Sequence, residues 1–395
     1  MEFDVVVVGA SSAGLYAAEK LARAGKRVAV CEQSRALSHV RRTLIVTPRL
    51  TRMIGQLPSQ VVLHRIDYID IESRDRTAVR VPLAEPDLII ERRALIQYLA
   101  ERARAAGAQL FWGHRFRGFT VEPGGARLAF QALDGEWTTI RAAQVIGADG
   151  VFSDVASSVG IPHPDSAPIL QAEVCLPQGW DPRVTKVWLD TDDTSYFYWL
   201  IPESAERAVV GLVGDERSPL RATLQAFLER QGMEPLAFQG ARIALHRPNL
   251  QRSANVGEIP VLLVGDAAGQ VKVSTVGGTV SGLMGAEAAV RSLLRRTPFR
   301  QELAALNREL NLHYAVRRVL ARLDNEGYSL LVQSVNPQVQ AFLTKYNRDE
   351  FAPHALELAF LLPAFFKLAW RLVHKPNAQL RASLSAPPSQ TDPAT

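Results

Sequence analysis

Cysteine is nearly missing from this chain: Cys31 and Cys175 are the two present in 395 residues, far apart and with no histidine or second cysteine at metal-ligand spacing. A disulfide framework and a zinc site are therefore not expected, no metal is assigned, and the reducing cytoplasm is the compartment that fits. Long hydrophobic runs are scarce as well. The most apolar late stretch, residues 355 to 373, is interrupted by Glu357, Pro363, Lys367 and Arg371, whereas a membrane span needs about 20 mostly apolar residues. No basic segment with a cleavage site precedes the first apolar run, so secretion is not expected. Charge of one sign is not concentrated: 45 Lys and Arg stand against 40 Asp and Glu, a net +5 without a long block. Nucleic acid is not an expected partner of such a surface. Lysine is absent from the whole stretch between Lys26 and Lys186.

What is present is globular. With 47% hydrophobic and 22% charged residues the chain can bury a large core, and its length calls for two connected domains plus peripheral helices. Residues 3 to 8, FDVVVV, form the short β-branched run of a strand buried on both faces. A Gly/Ser turn, helical spacing from Ala13 to Ala24, a Gly25-Lys26 break and a strand from Arg27 to Cys31 complete a βαβ unit. A helix is expected from Ile90 to Ala106, strand patterning from Gln109 to Glu122, and a buried strand from Ala143 to Ile146. Between residues 165 and 250 several β-rich runs suggest a separate antiparallel sheet. Val261 to Val264 returns to the first domain, followed by a helix from about Thr279 to Arg296. The expected fold is α/β, α+β overall: a Rossmann-type dinucleotide-binding domain (1–160 and 255–299) with an inserted antiparallel β-sheet substrate domain (161–254). C-terminal helices (300–375) and a disordered tail (376–395) complete it.

The segment VVVVGASSAGL, residues 5 to 15, places Gly9 and Gly14 at the first and third glycines of the dinucleotide fingerprint, with Ser11 in the middle position. The first glycine permits a tight turn, the middle one a close approach to pyrophosphate, and the third close packing of helix on strand. Ser12 and Ala13 open the helix, whose unpaired amides and partial positive charge suit a pyrophosphate. Glu32, ending the second strand with Gln33 beside it, is placed to accept hydrogen bonds from ribose hydroxyls.

Two further segments point to FAD rather than NAD. VIGADGVFSDV, residues 145 to 155, resembles the Asp-Gly fingerprint of the hydroxylase-like flavoprotein superfamily, and VLLVGDAAG, residues 261 to 269, resembles its Gly-Asp fingerprint. The stretch Gly265 to Ala289, GDAAGQVKVSTVGGTVSGLMGAEAA, resembles the geranylgeranyl reductases within that superfamily. The resemblance implies that Asp149, Gly265 and Asp266 contact FAD, with Asp266 accepting from the ribityl chain. It further implies that Gly277 and Gly278 bring backbone against the isoalloxazine, that Thr279 starts a helix aimed at the flavin N1/C2 edge, and that Arg92 lies near the phosphates. Phe116 joins this set. Asp266 has an alternative role as a helix N-cap, and Arg92 one as a solvated surface residue. Arg41 and Arg42 fall in a segment that should pass near the flavin, and the sequence does not choose between them.

FYWLIP, residues 197 to 202, resembles the family's aromatic-x-Trp-x-apolar-Pro element, with Phe197, Trp199 and Pro202 as candidate substrate contacts on an aromatic wall. Core packing is the plain alternative. The resemblance implies reduction of carbon–carbon double bonds in a prenyl or other small hydrophobic substrate, the chemistry residing in the flavin. One departure stands out: the family's Cys-Gly pair after the second strand is missing, Ala36 to Arg42 holding no cysteine. FAD-dependent hydroxylation of an aromatic or polyketide-like substrate is thus the main rival. Halogenation fits less well, since the early domain lacks the lysine those enzymes use. An electron-donor protein, or NAD(P)H as a transient reductant, is expected as partner. Lys367, Arg371 and Lys375 form a basic stripe opposite Phe365, Leu368 and Leu372, which reads either as a peripheral membrane contact or as a packed helix with a solvated edge.

Overall fold

The computed structural model describes residues 1–36, 42–215, 219–354, 357 and 361. Arg41 and the tail 376–395 lie outside the described residues, as do residues 355–375 apart from positions 357 and 361.

The valine run does what an apolar strand covered on both faces must do: Val5, Val6 and Val7 have no exposed surface. The strand Glu2–Val8 pairs in parallel with Val28–Glu32 on one side and Trp137–Gly147 on the other. Gln109–Trp112 and Ile259–Leu263 extend the sheet in parallel at either end, Ser253–Val256 closes one edge antiparallel, and the hairpin His114–Glu122/Gly125–Ala132 branches from Trp137–Gly147. Side chains alternate across this sheet as strand geometry requires. Val5, Val7, Val28 and Val30 meet the helices Ser12–Arg23, Arg92–Ala105 and Thr279–Arg295. Val6, Val8, Ala29 and Cys31 meet Phe116, Leu128 and Phe130 of the branching hairpin. Polar ties fix the helical layer: the Tyr16 hydroxyl donates to Glu287 at 2.6 Å, and Arg102 donates to Glu19 at 2.8 Å.

The second sheet runs Pro235–Leu245, Asp165–Cys175, Arg207–Val213, Tyr198–Pro202, Val184–Leu189, Val62–Ser73, Ala78–Glu91, Thr43–Val46. It is antiparallel except where Val184–Leu189 meets Val62–Ser73 in parallel. The expected inserted sheet is there, but it is wider than residues 161–254: three of its strands come from residues 43–91, a region in which sequence patterning announced none. The expected helix start at Ile90 is also displaced. Leu88, Ile89 and Ile90 pair with Thr43–Val46, and the helix begins at Arg92 because Glu91 caps it, accepting from the amides of Arg93 (3.0 Å) and Ala94 (2.8 Å).

On the outer face of this sheet, Tyr198 stacks on Phe227 of the helix Leu220–Arg230, centroids 3.8 Å apart. Among the described residues the C-terminal part is helical, with Ala304–Leu320, Asn325–Gln333 and Pro337–Lys345 as its longer helices. The last starts with Asn336 as N-cap and Pro at the first position, and Gln340 donates to the Arg80 carbonyl at 2.6 Å, tying it to the long hairpin.

Candidate active site

The carboxyl ends of the first sheet's parallel strands open into a cavity of about 630 Å³. Its floor is the turn after the first strand. Gly9 sits at φ +100°, and a Cβ there would run into the Ala148 carbonyl; one on Gly14 would run into the Gly9 carbonyl and stand 2.9 Å from the Ala148 Cβ. Gly14 therefore packs helix against strand and does not line the cavity, while Gly9, Ser11, Ser12 and Ala13 do. Ser11 replaces the middle glycine with a gain, its Oγ accepting from the Gly14 amide at 3.2 Å as the helix N-cap. Ser12 and Ala13, whose amides have no partner four residues back in the helix, line the cavity where such amides suit an acceptor.

Glu32 and Gln33 line the same cavity. Glu32 braces the turn, taking the Ala10 and Ser34 amides at 2.9 Å each, and each oxygen keeps a lone pair for a hydroxyl donor. Phe116 also lines it, packed edge-on against Phe130 at 5.8 Å. Asp149 lines it too; its oxygens accept from the Ser153 hydroxyl (2.6 Å) and the Val155 amide (3.1 Å), which shapes the turn at Gly150, and each keeps a lone pair.

Asp266 is different. It lies in the 3-10 turn Gly265–Ala268, and its carboxylate makes no hydrogen bond among the described residues, so the N-cap alternative finds no support. Burial raises its pKa against the pull of Arg42 and Arg92. A Cβ on Gly278 would stand 3.5 Å from its Oδ1, which puts the carboxylate at the start of the helix Thr279–Arg295. Arg92 and Arg42 line the cavity too. Arg42, pushed down to about 10 by burial and then by Arg92, is the arginine of the Arg41-Arg42 pair that the described structure brings to the site.

A second cavity of about 500 Å³ adjoins the first, with Arg42, Leu44, Ile243, Val276, Gly278 and Thr279 lining both. Gly277 lines the second only. Its walls include Ile69, Ile71, Val79 and Val81 from the long hairpin, and Phe197, Trp199 and Ile201 from the aromatic strand. Pro202 does not line it. The cause is strand alternation: 197, 199 and 201 share one face, whereas Tyr198, Leu200 and Pro202 face the Phe227 side. The Trp199 indole lies across Gly211 on the paired strand, where any Cβ would overlap its ring.

Sequence patterning missed one feature altogether. Lys272, 3% exposed, is paired with Asp349, 1% exposed, and Asp349 accepts from the Thr47 hydroxyl as well. Arg348 pairs with Asp87 beside them. All five residues line the second cavity. The available signal was Lys272 set between Val271 and Val273; its partner lies 77 residues away in sequence and was not legible.

The sequence of residues 2–294 matches the FAD binding domain family. The chain belongs to that family. This flavoprotein is 29% identical over 322 residues to digeranylgeranylglycerophospholipid reductase 1 of Methanopyrus kandleri, covering 74% of this chain and 82% of that one. It is 26% identical over 427 residues to reductase 2 of the same organism, covering 94% and 100%. In fold it is similar to a geranylgeranyl bacteriochlorophyll reductase-like protein from Thermoplasma acidophilum, TM-score 0.79 at 20% identity, covering 94% and 99%. The flavoprotein is thus an FAD-dependent oxidoreductase, and its resemblance to the geranylgeranyl reductases extends over most of the chain. Two observations fit FAD itself: a helix start whose Ser12 and Ala13 line the cavity, and a half-buried carboxylate at Asp266 with no hydrogen bond among the described residues, awaiting hydroxyl donors. Among the described residues no cluster of His, Cys, Asp and Glu has the arrangement of a metal site, and no helix is long and apolar enough to cross a membrane.

Proposed function

We propose that this flavoprotein reduces carbon–carbon double bonds of a prenyl or other hydrophobic chain held in the second cavity. One observation carries the reading: an aromatic and aliphatic cavity opens directly onto the FAD cradle through Val276, Gly278 and Thr279. When bound and reduced, FAD supplies hydride. The protein's part is to hold the cofactor and to align a flexible apolar chain in a dry channel, a task of positioning more than of side-chain chemistry. In this reading Gly9, Ser11, Ser12, Ala13, Glu32, Gln33 and Arg92 hold the adenosine and pyrophosphate end. Asp266 and Gly265 hold the ribityl chain, with Gly278 and Thr279 at the ring, and Phe197 and Trp199 contact substrate. The electron donor is a redox protein or transiently bound NAD(P)H, and a substrate of this kind brings the protein to the periphery of a membrane from the cytoplasm.

The test is anaerobic: protein reduced with dithionite is incubated with geranylgeraniol and the lipid is analysed by mass spectrometry. A gain of two hydrogens per reduced bond is expected. The rival reading, hydroxylation, predicts an oxygenated product carrying label from labelled dioxygen, and that result in place of hydrogenation would reverse the assignment.

A further inference from the structure

Adding hydrogen across an alkene takes two different particles. A hydride brings two electrons to one carbon, and a proton must reach the other. A bound reduced flavin accounts for the first; the flavin and the apolar walls do not account for the second. We propose that Lys272 is the catalytic acid, its ammonium giving the proton to the alkene carbon opposite the one that receives hydride. This rests on the alkene-reduction reading above.

Three observations support it. First, Lys272 is in the right place: it lines the substrate cavity, and its Cε and Nζ would stand 3.2 and 3.5 Å from a Cβ set on Gly277. It therefore lies against the glycine pair that joins this cavity to the cofactor cradle. Second, the loop that carries it is held under constraint. The Lys272 amide donates to the Gly277 carbonyl at 3.0 Å, and the Val276 amide donates to the Lys272 carbonyl at 2.7 Å. This closes a tight turn in which Val276 takes φ +58°, a conformation costly for a β-branched residue and met mainly where function requires it. Third, the amine is electrostatically prepared. Asp349 pairs with it and is itself fixed by Thr47, Arg49 donates to the Asp349 carbonyl at 2.9 Å, and Arg348, Asp87 and Glu309 are charged groups near the pair. Burial draws the ammonium below the ordinary lysine range even against Asp349, which makes it readier to release a proton.

The step balances. The alkene π pair forms the new C–H bond to the Lys272 proton, the hydride forms the other, and the N–H bond breaks to leave a neutral amine beside the Asp349 carboxylate. Water restores the proton once product leaves, and the external reductant restores the hydride equivalent.

The experiment compares wild type, Lys272→Arg, and the double variant Lys272→Met/Asp349→Leu, all loaded with FAD. Arginine keeps the charge and the ion pair but does not give up its proton, so it separates proton donation from structural pairing. The double variant removes both buried charges together and leaves no unpaired one. Each protein is assayed for FAD affinity, for the visible spectrum and midpoint potential of the flavin, and for geranylgeraniol reduction after dithionite in H2O and D2O. Lysine ε-carbon NMR adds a readout independent of turnover. Both variants should bind FAD with wild-type affinity and potential, and reduce the alkene at least about a hundredfold more slowly. A lysine resonance titrating below the normal range should vanish in both. Wild-type rates in either variant, or a flavin potential that shifts enough to explain the loss, would overturn the assignment to Lys272 alone. A wild-type protein that leaves the alkene untouched removes the underlying reading, and this inference with it.

Discussion

Replacing Asp266 should move cofactor affinity and FAD-free stability in different directions. The carboxylate is half-buried, makes no hydrogen bond among the described residues, and sits by Arg42 and Arg92 at the start of the helix Thr279–Arg295. Hydroxyl groups of a bound ribityl chain would give it charge-assisted hydrogen bonds, each contributing about 1.5–3 kcal/mol. Asp266→Asn should therefore weaken FAD binding about ten- to a hundredfold. Stability has its own sign. Burial raises the folded-state pKa of Asp266, and a carboxyl raised in this way contributes stability below its unfolded pKa and loses it as pH rises through the folded value. At neutral pH the desolvated carboxyl thus works against folding of the FAD-free protein, an effect that Arg42 and Arg92 offset in part. The Asn variant without FAD should melt no lower than wild type at pH 7, and the difference should shrink as pH falls below the carboxylate range. Titration of the FAD-free protein by flavin fluorescence quenching, together with thermal melts with and without FAD, measures both quantities. Unchanged FAD affinity, or a lower melting temperature in the FAD-free variant, would refute the reasoning.

Trp199→Ala should leave FAD bound while sharply impairing turnover of a hydrophobic substrate. Gly211→Val should do the same by displacing the indole, and should also cost about 1–3 kcal/mol in overpacking, read by flavin absorbance, chain-reduction rate and thermal melting. His246 accepts from Arg252 at 2.9 Å and donates to Asn311 at 2.9 Å, and burial pulls its pKa down to about 4. A buried neutral histidine loses stability as pH falls from the unfolded value toward the folded one, here from about 6.5 to about 4 and by up to about 3 kcal/mol. His246→Gln, which keeps both hydrogen-bonding roles without titrating, should flatten that part of the stability profile in urea unfolding; an unchanged acid slope would show that other groups set it.

Much of the cofactor half was legible in sequence because its signals are local. A turn that must avoid Cβ atoms needs Gly9 and Gly14 at fixed spacing, a strand buried on both faces needs an unbroken valine run, and a carboxylate at a strand end, Glu32 or Asp266, needs only its neighbours. Phe197 and Trp199 came from the resemblance to the family's aromatic element; strand alternation, which the structure shows, takes Pro202 out of the cavity and brings Ile201 in. Tertiary structure alone decided the rest. Strands from residues 43–91 joined the second sheet because pairing partners are chosen by long-range register, as when Val184–Leu189 aligned in parallel with Val62–Ser73, and no local pattern carries that choice. The second cavity exists only where those strands, the Gly277-Gly278 loop and the segment around Asp349 meet. Lys272 is a lysine in an apolar stretch until folding brings Asp349 and Thr47 to it, because the free energy that holds a buried charge resides in partners distant in sequence and close in space.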